Sequence, residues 1–240
     1  MRWSNRLSFI ITTAAFAIGL GNIWRFPYIT GENGGGAFLL VYLILVILIG
    51  IPIFLIEMSL GQMSQSRPLL GFGKLAKNPV WHSLGWLGVL TSLFILFFYV
   101  MILAWIVIYG WDLINGRFIE TSQLDAHFTE ISSNFNLVGS VVAFILLGSA
   151  LILQRGLNKG LEASTKWMMY ALFAILIILS IWAATLDNAM EGYKWYLTPS
   201  FEHINMSVIL TAIGQLFFSV GVGMCVAFAF GSYPSKDFVP

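Results

Sequence analysis

The chain has 240 residues, 58% hydrophobic and 10% charged, with a formal net charge of +1 and a mean hydropathy of +0.86. Too few polar residues remain to cover a soluble globule of that length, so the composition excludes a water-soluble domain and leaves an integral membrane protein. The single cysteine, Cys225, excludes a disulfide framework and a thiolate metal site and reads as a small apolar residue in a helix.

Taken in chain order, the long uncharged runs predict six membrane helices, at about 7–31, 36–64, 82–112, 135–154, 164–187 and 204–232, each able to cross ~30 Å of hydrocarbon. None alternates apolar and polar residues as barrel strands do, so the expected fold is all-α. Residues 1–240 read as a single transmembrane domain. The first run, with Arg2, Arg6 and Ala15-Phe16-Ala17, has the look of a signal peptide, but it continues past the cleavage-like point and five runs follow it. It is interrupted by Gly19-Leu20-Gly21-Asn22 and followed by Arg25. The second run carries Pro52 and Glu57, and the third has Tyr99 in its middle. Residues 69–80 are rich in glycine and proline and read as a connector. The longest connector, 112–134, is too short for a separate soluble core. The last run is interrupted by Gly221-Val222-Gly223-Met224.

Basic residues set the orientation. Arg2, Arg6, Arg67, Lys74, Lys77, Arg155, Lys159, Lys166 and Lys236 flank the helices on one side, against Arg25, Arg117 and Lys194 on the other. Because lysine and arginine accumulate on the cytoplasmic side, both termini are expected inside, in a multi-pass protein of the plasma membrane.

The two interruptions carry the chemistry. Breaking a membrane helix is costly unless the freed backbone lines a cavity, and matched breaks in two halves of a chain point to a transporter's binding site. Freed carbonyls with the Asn22 oxygen suit a hard cation, and freed amides suit an anionic group. Ser219 adds a hydroxyl at the second break. Arg25 and Glu57, ionisable residues near membrane depth, need partners or a function. Buried Tyr99 needs a hydrogen-bond partner. A nucleotide-loop reading of Gly19-Leu20-Gly21 fails because Trp24 stands where a third glycine belongs. His82, His127 and His203 form no metal-ligand spacing, so no transition metal is expected. Asn205-Met206-Ser207 matches a glycosylation pattern but lies at a span end.

The runs Gly19-Leu20-Gly21-Asn22-Ile23-Trp24-Arg25-Phe26-Pro27-Tyr28 and Glu32-Asn33-Gly34-Gly35-Gly36-Ala37-Phe38 resemble the signature of the neurotransmitter:sodium symporter family. Agreement extends through Pro52, Glu57 and Gly61, around Tyr99 and Trp105, at Arg155-Gly156 to Lys159-Gly160, and from Gly214-Gln215 to Ser232-Tyr233. The resemblance implies the leucine-transporter-like inverted-repeat fold, with helices 1 and 6 unwound mid-membrane, and sodium-coupled symport of an amino acid. It implies sodium ligands at Ala15, Ala17, Ile18, Asn22 and Ser219. Substrate contacts would come from Ala17, Gly19, Leu20, Gly21, Ile95, Tyr99, Phe218, Ser219, Gly221 and Met224. Gating or supporting roles would fall to Trp3, Arg25, Glu57, Gln215 and Tyr233, and Tyr42 resembles one residue of the family's chloride position.

Gly19 occupies the position of an aspartate in monoamine-transporting relatives, so a zwitterionic neutral substrate is implied. Gly221, where some members carry serine, enlarges the pocket for an apolar or aromatic side chain. The family has twice as many helices, so the chain is expected to represent the N-terminal half. That half would be one five-helix repeat plus the first helix of its partner, completed by a polypeptide carrying the later helices and the acidic partner of Arg25. The expected partners are the amino acid, Na⁺ and lipid, with no other cofactor and no nucleic acid. The competing reading is a truncated, non-transporting membrane protein or a helper that binds other helices. An enzyme is not expected, since no nucleophile, base and orienting group come together.

Overall fold

A computed structural model describes residues 3–19, 21–76, 78–117 and 123–233, with the side chain of His203 left aside, and the described residues contain helices and no strand. In chain order the helices are α1 (Arg6–Ala17), α2 (Phe26–Glu32), α3 (Gly36–Leu45), α4 (Ile51–Ser64), α5 (Pro68–Leu75), α6 (His82–Ile114), α7 (Leu124–Ser133), α8 (Phe135–Gln154), α9 (Ala163–Ala184), α10 (Ala189–Leu197), α11 (Met206–Val220) and α12 (Val226–Gly231).

Wide π-type turns precede α2 at Gly21–Arg25, join α3 to α4 at Val46–Gly50 and precede α9 at Leu157–Glu162. The second of these sits just before Pro52, whose missing N–H and bulky ring do not fit a regular helical turn. Asn5, Asn134 and Asn205 cap α1, α8 and α11, each accepting from a backbone amide three residues on. Asn205 of the glycosylation-like triplet is thus engaged as a helix cap.

Four stretches are long and apolar enough to cross a membrane unaided: Gly36–Ser64, Pro79–Ile114, Phe135–Gln154 and Leu157–Ala184. Only 6% of the apolar window of Phe135–Gln154 is buried by protein, so its side chains are free to face lipid. The first expected span is two helices whose axes differ by 55°, counting as a fifth crossing only if taken together. The sixth is the shorter apolar helix α11, stopped after 15 residues by Gly221 in the left-handed region. Three segments between the expected spans also hold helices: α5, α7 and α10. Each is short and mixed in polarity, so no long apolar run announces it.

The chain divides into two compact units, Met1–Val89 with Leu157–Pro240, and Leu90–Gly156. In the first, Ile29, Phe38, Val208 and Ala212 join α2, α3 and α11, with Phe26 and Tyr42 packed against them. Phe9, Met58 and Phe230 join α1, α4 and α12. The α4–α12 crossing is backbone on backbone: a Cβ on Gly61 would lie 2.0 Å from the Phe228 oxygen, and one on Gly231 would lie 2.1 Å from the Met58 oxygen. Glycines that let helices touch in this way replace the hydrophobic drive that lipid does not supply. In the second unit, Ala104, Ile108, Ile131 and Val138 pack α6, α7 and α8 together.

Candidate functional site

Both helix interruptions lie in the first unit and touch each other. After α1 the backbone leaves helical geometry at Ile18, with φ −91° and ψ 80°. The Asn22 amide N–H bonds the Gly19 oxygen at 3.0 Å, and its side-chain Nδ2 donates to the Ala17 oxygen at 2.8 Å. A side chain thus folds back on a carbonyl that α1 no longer uses, as buried backbone requires.

The second interruption follows α11, whose Ala212, Gln215, Leu216 and Ser219 share a buried face. Gly221 (φ 67°), Gly223 (φ 81°) and Cys225 (φ 58°) all occupy the left-handed region, which glycine adopts freely. The chain therefore turns away from the axis of α11 before α12 begins. Glycine at 221 also leaves room for Phe16, since a Cβ there would lie 2.5 Å from its ring and the ring would have to shift. A Cβ on Gly21 would lie 2.1 Å from the Phe218 ring. The two breaks therefore pack glycine against aromatic ring in both directions.

Arg25 Nη1 donates to Gln215 Oε1 at 2.9 Å, and its guanidinium carbon sits 5.0 Å from the centre of the Phe218 ring. Gln215, fully buried, passes its Nε2 proton donor to Ser219 Oγ at 2.9 Å. One relay thus runs from the cation to the hydroxyl expected as a ligand. The partner seen for Arg25 is an amide oxygen, with the ring face adding cation–π attraction.

Glu57 is buried on α4. It accepts from the Gly223 amide at 3.4 Å, and the amides of Cys225 and Phe228 also face it. The Gly61 and Gly231 contacts, about one turn away, hold α4 close enough for this. Trp3 donates its indole N–H to the Phe230 oxygen at 3.2 Å and packs edge-on against Tyr233 at 6.0 Å. Ala15 and Ile18 line a cavity of about 360 Å³ with Thr12, Leu161 and Thr165, between α1 and α9.

The structure thus brings together Ala17, Gly21, Asn22, Arg25, Gln215, Phe218, Ser219, Gly221 and Glu57. Met224 lies in the second break, its sulfur 3.6 Å from where a Cβ of Gly221 would be. Gly19 is the last described residue before the break, and Leu20 is outside the described residues. Ile95 and Tyr99 are on α6 in the second unit, where the Tyr99 ring meets that of Phe98. Phe16 is one more apolar residue in an apolar run of the sequence, and only the fold shows it against Gly221. Among the described residues, no three His, Cys, Asp or Glu side chains are grouped to hold a metal ion. The oxygens of Ala17, which accepts from Asn22, and of Ser219 are neutral and hard, a chemistry that suits Na⁺.

Residues 1–118 and 118–238 match the model of the Sodium:neurotransmitter symporter family. An uncharacterized sodium-dependent transporter of Bacillus subtilis is 35% identical over 98% of this chain and 53% of its own length. One from Methanocaldococcus jannaschii is 37% identical over 98% and 49%. The sodium-dependent neutral amino acid transporter B(0)AT2 of Bos taurus is 30% identical over 98% and 36%. The crystal structure of MhsT in complex with L-phenylalanine superposes with a TM-score of 0.87 at 40% identity, covering 99% of this chain and 54% of that one. The chain spans about half the length of the bacterial and archaeal relatives and of MhsT. Match and superposition together place it in a family of sodium-coupled membrane transporters rather than enzymes: the chain belongs to the Sodium:neurotransmitter symporter family.

Proposed function

We propose that this chain carries the ion and substrate site of a sodium-coupled symporter for a neutral amino acid with an apolar or aromatic side chain. The observation that carries this reading is the mutual packing of the two helix breaks, Gly21 on Phe218 and Phe16 on Gly221, with Asn22 and Ser219 beside them. In this proposal six spans cross the plasma membrane with both termini inside, and the first and sixth are unwound where they meet.

Ala17 oxygen, Asn22 and Ser219 hold one Na⁺, and the Ala15 and Ile18 oxygens supply half of a second site, at the cavity they line. When bound, the cation provides the positive charge that a substrate carboxylate completes. The Gly21 amide receives that carboxylate, and the oxygens of Ala17, Phe218 and Ser219 receive the amine. Gly19 carries no acidic side chain, so the negative charge comes from the substrate, which favours an amino acid over a monoamine. Phe218, Gly221 and Met224 shape the side-chain pocket. The complex of MhsT with L-phenylalanine supports an aromatic occupant. Arg25, Gln215 and Phe218 close the outer side, Trp3 and Tyr233 the inner side, and Glu57 ties down the second break.

The test is equilibrium binding of radiolabelled phenylalanine, leucine and glycine to the purified protein in Na⁺ and in K⁺. Binding of phenylalanine and leucine in Na⁺ alone supports the proposal. Equal binding in K⁺, or binding of glycine alone, overturns it.

A further inference from the structure

The proposed inner gate contains Trp3 and Tyr233, yet the firmest polar tie on the N-terminal segment lies elsewhere. Ser4 donates both its amide N–H, at 3.3 Å, and its hydroxyl, at 3.0 Å, to one carboxylate oxygen, Glu162 Oε2. Asn158 Nδ2 in turn donates to Ser4 Oγ at 2.7 Å. Ser4 is separated from Glu162 by 158 residues and bound to it by two donors, while Glu162 itself is 5% exposed.

The local backbone explains how Glu162 reaches inward. Gly156 has φ 78°, and the π-type turn Leu157–Glu162 follows it. A wide turn shifts the side-chain register relative to a regular helix, and such turns are frequent at functional sites. Asn158 lies at the start of this turn and Glu162 at its end, so both clasp Ser4 from one segment. Next to it, Trp3 is fastened to the Phe230 oxygen. The N-terminal segment is therefore held on two sides, by α12 through Trp3 and by the turn before α9 through Ser4.

We propose that Glu162, with Asn158, is a positioning residue of the inner gate, latching the N-terminal segment through Ser4 so that α1 swings free only when this clasp opens. Calling the clasp part of a gate rests on the symporter reading; the clasp itself is tested without transport. Cys225, the only cysteine, is replaced by alanine, and a single reporter cysteine is introduced at Ser8, which is buried on α1, or at Ala104, fully buried in the second unit. Maleimide alkylation rates are then measured in Na⁺-free buffer for the chain with and without Glu162→Gln.

Opening of a hydrogen-bonded clasp should raise the rate at Ser8→Cys by on the order of tenfold and leave Ala104→Cys unchanged. Adding Ser4→Ala to Glu162→Gln should then give less than the sum of the two single effects, because the bond from the Ser4 hydroxyl to Glu162 is common to both. Should Glu162→Gln fail to fold, Ser4→Ala alone, which removes the hydroxyl bonds to Glu162 and from Asn158 and keeps the amide bond, should raise the rate in the same direction. An unchanged rate at Ser8→Cys, or an equal rise at Ala104→Cys, overturns the proposal. Neither result touches sodium-dependent substrate binding, which is measured separately.

Discussion

The two helix breaks solve the same backbone problem differently. At the first, the freed Ala17 oxygen is taken by Asn22 five residues later, so the break satisfies itself from its own sequence. At the second, three left-handed residues turn the chain and the freed Gly223 amide is taken by Glu57 from α4. The first break is local, whereas the second depends on a crossing that must bring α4 within hydrogen-bond reach. The second is therefore the more fragile and the more easily disrupted from a distance.

The largest effect should come from Gly61→Ala. Its Cβ would meet the Phe228 backbone oxygen at 2.0 Å, which no side-chain rotation relieves, so α4 and α12 must separate. The expected cost is about 3 kcal/mol, read as a lower melting temperature in detergent, with loss of sodium-dependent binding. Full stability in Gly61→Ala would break the comparison.

Glu57→Ala should come next. It leaves the Gly223 amide without its acceptor and costs roughly 1–3 kcal/mol, while Glu57→Gln, which keeps an oxygen there, should lose about half as much. Denaturation of the two variants side by side sharpens the claim that the carboxylate ties backbone rather than serving only as a charge. Identical losses would contradict it.

Asn22→Ala should cost only ~1 kcal/mol in Na⁺-free buffer, one ordinary hydrogen bond, yet abolish the stabilisation that Na⁺ confers. Last, Gly221→Ser fills space beside Phe16. It should shift preference from phenylalanine toward smaller neutral amino acids by roughly tenfold in competition binding, the scale set by a small change in pocket volume, with a modest loss of stability from the positive φ. Unchanged selectivity would remove Gly221 from the pocket.

Long apolar runs leave few alternatives, and two expected ranges, 36–64 and 135–154, coincide with observed helical stretches. The breaks were legible through glycine and asparagine, residues whose backbone preferences do not fit a helix interior. What closes the breaks was less so. Phe16 carries no polar signal, and its place opposite Gly221 depends on tertiary packing. Glu162 reads in sequence as one charge in a mainly basic flank, and its hold on Ser4 spans 158 residues. The helix α7 was hidden because its buried Ile131 and its His127, 3.1 Å from Asp112, sit in a mixed polar segment that reads as loop.

The central claim, that the two breaks form one cation site, is tested most directly by sodium titration of thermal stability in the native chain and in the single variants Asn22→Ala and Ser219→Ala. Binding to the folded state alone raises stability with ligand concentration. A sodium-dependent rise in the native chain that is absent in K⁺ and lost in both variants is the predicted result. A rise retained in either variant, or one that K⁺ reproduces, would contradict a single site shared between the breaks.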